Sequence, residues 1–415
     1  MDNTIIGRNI VLTNKHLHEF KIGPYMMYFK KTLPSGDLAR LMARLRGLEV
    51  ISKKMLEVMA CDIDIYPTVV GTYINILENL SLLDIHKDHR GNIIKIEERI
   101  PKSEDEILDI TSKLWLGEFS DLNIPDITEA PTNVEYSTVT MLELVTRLPL
   151  FESELLDELQ MFGINIDSDT LKTILDLSVN LNLMRVYNLP NIKGPLLASE
   201  YVFGENAPKI KNALGGLPPD LRQKVLELYD GITKRQGCPE DELIKNINKQ
   251  VLDQLAYAGL LDPILIETKT KAKKVFYFTP RMWSTYSKPI FDIYDEVKLF
   301  IGCIRFGQLF AENKIWDPVM LVKALLRDGE VGPASPIGTD YILLEKRGII
   351  KVVPDEKRRD FYYMQLIKRR VAEIALDILK SGFVSPLRDN YGNPSGMASA
   401  LNGKSPESER IRLKQ

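Results

Sequence analysis

The sequence predicts a mainly α protein with small β-hairpins, arranged as tandem modules. Three observations carry this. Amphipathic runs dominate the chain, with apolar residues at helical spacing, as at Leu38, Leu41, Leu45 and Leu48. A short phrase recurs four times at the end of such a run, a small or polar residue followed by two apolar ones: Ser81-Leu82-Leu83, Asn182-Leu183-Met184, Gly259-Leu260-Leu261 and Gly348-Ile349-Ile350. Leu77, Leu255 and Leu344 stand five residues before the first apolar residue in three copies, whereas Ser178 takes that place in the second. After each phrase comes a strand-like stretch with charges at its tip. Repetition of this kind reads as a compact helical unit whose last helix turns into a hairpin, used several times.

The elements follow in order. Residues 1–34 alternate apolar and polar positions (Ile5, Ile6, Ile10, Leu12, then Tyr25, Met27, Phe29), which predicts an arm or short strands, interrupted at Gly23-Pro24. The first module, 35–100, opens with Ser35-Gly36-Asp37 as a helix cap. Its third helix begins at Pro67, and Arg90-Gly91-Asn92 marks its hairpin tip. Residues 101–136 carry nine carboxylates from Glu104 to Glu135 against Lys102 and Lys113, and contain Pro125 and Pro131, as expected of an acidic, partly helical linker that leaves module one separate. The second module, 137–205, has Asp167 as N-cap of its third helix and a nearly uncharged hairpin. The third, 206–289, places Lys269, Lys271, Lys273 and Lys274 before an apolar strand. The fourth, 290–382, is punctuated by Asp317-Pro318, Gly329 and Ser335-Pro336, with Asp355 to Arg359 at its hairpin tip. The tail, 383–415, is rich in Ser, Gly, Pro and Asn and is expected to be disordered.

At 415 residues the chain suits two to four domains. No stretch approaches the run of about 18 apolar residues that spans a bilayer, and the N-terminus lacks a signal-peptide pattern, so the expectation is a cytoplasmic protein, nuclear if the cell has a nucleus, with no membrane partner. Cys61, Cys238 and Cys303 are too few and too scattered for a disulfide framework or zinc site. The formal net charge of −3 sets the chain apart from polycations that coat nucleic acid indiscriminately. Any nucleic-acid contact must use local basic faces offset by acidic surface elsewhere.

In helix order, in the phrase closing the third helix and in the hairpin after it, residues 35–382 resemble the winged helix-turn-helix superfamily in four tandem copies. The resemblance implies tandem winged-helix modules. In the DNA-reading use of that fold the third helix enters the major groove and the hairpin, or wing, touches backbone or minor groove. The candidate contacts are then Thr68, Thr72 and Asn75 with Lys87 and Arg90 in module one, and Lys271, Lys273 and Lys274 in the wing of module three. In module four they are Ser335, Thr339 and Lys346 with Lys357, Arg358 and Arg359. Hydroxyls and amides meet phosphates or base edges, and Lys and Arg neutralise phosphate. The expected partner is double-stranded DNA, for a transcriptional regulator or the DNA-recognising subunit of a larger complex. The alternative is a scaffold in a multi-subunit assembly, contacting itself or other protein subunits without touching DNA.

Enzymatic chemistry has no positive signal. The only histidines are His16, His18, His86 and His89, and no phosphate loop, dinucleotide fingerprint or HExxH motif occurs. No catalytic residue, metal site or cofactor is expected. Trp115, Trp283 and Trp316 are read as core anchors.

Overall fold

The computed structural model describes residues 1–20, 27–48, 50–91, 93–119, 129–189, 194–283 and 291–387. The recurring phrase ends a helix in the same way each time. Ser81, Asn182, Gly259 and Gly348 all adopt left-handed backbone, with φ of 57°, 54°, 85° and 63°. Each donates to the carbonyl three residues back, and the next N–H reaches five residues back: Leu82 to Leu77 (2.9 Å), Leu183 to Ser178 (2.8 Å), Leu260 to Leu255 (3.0 Å) and Ile349 to Leu344 (2.9 Å). This paired closure, the Schellman motif, satisfies carbonyls that the helix end would leave orphaned and reverses the chain. Both apolar residues of every copy are thereby buried.

The class is mainly α, 58% helix with 14% strand in antiparallel sheets of two or three strands. One order of elements is used four times: helix, short strand, two helices, hairpin. The first repeat comprises α2 (Thr32–Leu45), α3 (Lys53–Cys61), α4 (Pro67–Asn79), β1 (Leu83–Lys87) and β2 (Ile93–Glu98), with a single bridging residue, Ile51, as first strand. The second runs α6 (Asn133–Arg147), β3 (Leu150–Phe151), α7 (Glu152–Met161), α8 (Ser168–Asn180), β4 (Arg185–Tyr187) and β5 (Leu196–Ala198). The third is α11 (Pro219–Lys234), β6 (Cys238–Pro239), α12 (Glu240–Leu243), α13 (Lys249–Ala258), β7 (Asp262–Glu267) and β8 (Lys273–Phe278). The fourth is α15 (Pro318–Asp328), β9 (Glu330–Ala334), α16 (Ile337–Asp340), α17 (Ile342–Lys346), β10 (Ile350–Pro354) and β11 (Tyr362–Leu366). In each, the last hairpin strand lies between the first strand and its own hairpin partner: Ile51-β2-β1, β3-β5-β4, β6-β8-β7 and β9-β11-β10.

Outside the repeats lie α1 (Asn3–Phe20), α5 (Glu104–Leu116), α9 (Glu200–Phe203), α10 (Ala207–Gly215), α14 (Phe291–Leu309) and α18 (Arg369–Ser381). The chain divides into two compact units, one of Met1–Val145, Glu152–Arg185 and Pro386–Gln415, the other of Thr146–Phe151 and Val186–Ser385.

In the first unit, residues 3–20 form a helix where an arm or short strands were expected. Tyr25, Gly23 and Pro24 lie outside the described residues. The helix is buried along most of its length, including Arg8, Asn9, Asn14 and His16, so its polar side chains sit inside and mask the helical apolar period. Arg8 pairs with Glu143 at 2.5 Å and Asn14 donates to Asp37 at 2.8 Å. Close approach needs glycine: a Cβ on Gly7 would stand 2.1 Å from the Leu108 carbonyl oxygen, and one on Gly36 2.3 Å from the Asn14 Cβ. Ser35-Gly36-Asp37 therefore lies within α2 rather than capping it. The cap is supplied from afar, by a Glu135 carboxylate oxygen accepting from the Lys31 (2.8 Å) and Thr32 (2.9 Å) N–H groups. The stretch read as an acidic linker contains α5, whose Ile107, Leu108, Leu114 and Trp115 are buried. Its Glu104, Asp105 and Glu106 occupy the first turn, where the helix dipole favours them. Residues 120–128 of that stretch, with Pro125, lie outside the described residues.

In the second unit two apolar clusters form the core, one around β6–β8 and α10–α13, the other around α14, α15 and α18. The expected caps hold: Asp317 Oδ1 accepts from Val319 (2.8 Å) and Met320 (3.1 Å), and Gly329 ends α15 in left-handed conformation. The helix expected from Ser335-Pro336 onward breaks at Tyr341, which is buried with its hydroxyl in the space left by Gly307 of α14. The expected tail begins as ordered chain, with Val384 buried and its N–H donating to Met282 at 2.9 Å; residues 388–415 lie outside the described residues. Trp115 and Trp283 are core anchors, but Trp316, immediately before the Asp317 cap of α15, is 97% exposed.

Candidate nucleic-acid interface

Helix α4 has two faces. Val70, Tyr73, Ile74, Ile76 and Leu77 are buried, and the Tyr73 hydroxyl donates to Asp37 Oδ2 at 2.8 Å, fixing the helix on α2. Asp37 also faces Nε2 of His18 at 2.6 Å. Opposite, Thr68, Thr72, Asn75 and Asn79 form an exposed polar stripe at helical spacing, begun by Tyr66. The sequence thus places Thr68, Thr72 and Asn75 together on one free face.

The hairpin following α4 exposes His86, Lys87, His89 and Arg90. Lys87 pairs loosely with Glu78 at 3.8 Å, while among the described residues no side-chain partner is found for Arg90. On the same hairpin Asp84, His86 and Glu97 bring one ligand atom each within 4.8 Å of one another. Arg99 bonds Asp84 at 2.5 Å and Lys95 bonds Glu97, so local cations already offset both carboxylates.

The lysines of the third repeat are committed locally. Lys271 lies 3.4 Å and Lys273 3.7 Å from Glu267, while Lys274 bonds Asp241 and sits 4.5 Å from the centre of the Phe310 ring. In the fourth repeat Ser335 and Thr339 are half-buried. The Thr339 hydroxyl bonds Asp340 at 2.9 Å, and its carbonyl accepts from the Lys269 N–H at 2.9 Å, so this turn packs on the preceding hairpin. Lys357, Arg358 and Arg359 are fully at the surface, with Arg358 5.8 Å from the Phe361 ring centre and Arg359 only 3.8 Å from its neighbour Asp360.

Lys346 belongs elsewhere, in an open cleft of about 1030 Å³ between β7, α14, α17 and the start of α18. Arg347, Lys368, Arg369 and Arg370 also line it, with Lys298 at its floor. Burial alone would depress the Lys298 pKa, but Asp262 at 2.7 Å and Asp295 at 2.9 Å outweigh it and hold the ammonium above its ordinary value. Sequence reasoning singled out Lys346 and left Arg347, Lys298 and the 368–370 run unassigned. The available signal was the run itself, since three cations opening a helix oppose its dipole.

The third helix of the second repeat exposes Asp169, Lys172 and Asp176, an acidic surface unsuited to phosphate. Among the described residues no helix is long and apolar enough to cross a membrane. No family model and no curated protein matches the chain.

Proposed function

We propose that the chain is a tandem winged-helix protein that binds double-stranded DNA, as a transcriptional regulator or the DNA-recognising subunit of a larger complex. The observation that carries this reading is the fourfold use of one element order and one sheet order, combined in the first repeat with an exposed polar third helix followed by a cationic hairpin. Thr68, Thr72 and Asn75 suit a groove-facing role, and Lys87 and Arg90 suit phosphate. The third repeat contributes less, because its lysines would have to leave Glu267 and Asp241 to reach DNA.

A second reading, a protein-binding scaffold, is favoured by the acidic third helix of the second repeat and by Trp316 with Met320 one turn along, 97% and 58% exposed. Tryptophan is among the residue types enriched at the hot spots of protein interfaces. Neutralising Lys357, Arg358 and Arg359 together separates the readings. A fall in duplex affinity of about tenfold or more, with unchanged oligomeric state, is expected for a DNA reader losing up to three phosphate contacts. Duplex binding undetectable in the unaltered protein, with a protein partner lost on the triple substitution, would establish the scaffold instead.

A further inference from the structure

The cleft in the second unit is independent of the polar face of α4 and of the hairpin tips. We infer that it is a binding site for a run of neighbouring phosphate groups. Six cations line it (Lys298, Lys346, Arg347, Lys368, Arg369 and Arg370) against three carboxylates, Asp262, Asp295 and Glu296. The cations come from three separate elements and the turn after α17, so the arrangement is a product of the fold and not of one charged run.

The carboxylates are already engaged. Asp262 and Asp295 hold Lys298, and Glu296 bonds Lys368. Arg369 is anchored to its own helix through Glu373 at 3.0 Å and donates to the Leu326 carbonyl at 2.7 Å. Lys346 and Arg347 are exposed, and among the described residues neither has a side-chain partner. The three lining carboxylates leave the six cations with an excess of positive charge around one hollow, which is unfavourable unless a further anion offsets it.

The remaining lining selects among anions. Pro263, Ile264, Leu265, Ile293, Leu299, Leu343 and Val371 give an aliphatic wall, and among the described residues no aromatic side chain lines the cleft to stack a base. The cleft therefore suits phosphates read by charge and by the forked donors of arginine. Because the cations come from several elements, a row of phosphates can engage more of them than a single phosphate can. Such a run is offered by a free polyphosphate or by a nucleic-acid backbone.

The test uses the full chain with inorganic tripolyphosphate as probe, by calorimetry at low salt. Micromolar binding is expected, weakening as salt rises. The pair Lys346→Gln and Arg347→Gln should weaken it about tenfold or more, and the pair Lys346→Glu and Arg347→Glu further, since two of the net cationic charges are removed or reversed. The triple neutralisation of Lys357, Arg358 and Arg359 should leave it unchanged. Competition with a duplex identifies the source. If the Lys346 and Arg347 pair also weakens duplex binding, the phosphates come from nucleic acid; if only tripolyphosphate binding falls, the ligand is a free polyphosphate. Binding of tripolyphosphate without any duplex binding would sustain the cleft while removing the DNA reading. No tripolyphosphate binding by the unaltered chain, or equal binding by the folded glutamine pair, would overturn the site.

Discussion

At the residue scale, a buried histidine of α1 contributes to the pH dependence of stability. His16 is fully enclosed, with Nδ1 2.7 Å from the Leu181 carbonyl oxygen. Burial drives its pKa from 6.5 down to about 4, only partly countered by that carbonyl. Above pH 6.5 the ring is mostly neutral in both folded and unfolded chains and contributes no penalty. As pH falls from 6.5 to 4 the unfolded chain takes up a proton that the folded chain refuses, so stability drops by about 3 kcal/mol from this group. His16→Asn keeps a donor for Leu181, and urea unfolding at pH 6.5 and 4.5 should show a loss smaller than in the parent by about 2 kcal/mol. An unchanged pH dependence would exclude His16 as the source. None of this was legible in the sequence, where residues 1–34 read as an arm or short strands and nothing marked Arg8, Asn9, Asn14 and His16 as buried. Their partners, among them Glu143, Asp37 and the Leu181 carbonyl, lie far along the chain. Trp316 differs in the opposite sense: its type favours cores, yet it stands exposed just before α15.

At the element scale, much of the repeat was readable. A Schellman closure is local, needing a residue that tolerates positive φ, an apolar residue after it and a helix before it, and all three are visible in sequence. Asp167, Asp317 and Pro67 were legible likewise, since a cap acts within three residues. The start of α2 was not, because its cap is Glu135, about a hundred positions away. Glycine occupies the left-handed position in two copies, but Ser81 and Asn182 carry side chains there. Ser81→Gly should therefore raise stability by about 0.5–1 kcal/mol, the left-handed penalty less the glycine's extra unfolded-state entropy, and Gly348→Ala should lower it by about 1 kcal/mol. Denaturant midpoints give both values. A destabilised Ser81→Gly would mean that the serine side chain contributes more than its backbone strain costs. In the second copy the hydroxyl of Ser178, where the others have leucine, is buried and no partner for it is found among the described residues, so the closure survives there without the apolar contact.

At the scale of the whole molecule, the distribution of charge decides function more than its sum does. The net charge of −3 is readable from composition, but which cations are free is not. Lys271, Lys273 and Lys274 form the densest lysine cluster in the sequence, yet the fold pairs them with Glu267 and Asp241. The cationic cleft draws on residues from 262 to 371, a span no local pattern reveals. The central claim is that exposed cations on the repeats hold duplex DNA by its phosphates. The most direct test is the salt dependence of binding to a random duplex of about 30 base pairs, followed by fluorescence anisotropy from about 25 to 200 mM salt. With some five phosphates contacted, log K should fall against log salt with a slope of about −4 or steeper. No measurable binding at the lowest salt, or a slope near zero, would contradict the claim.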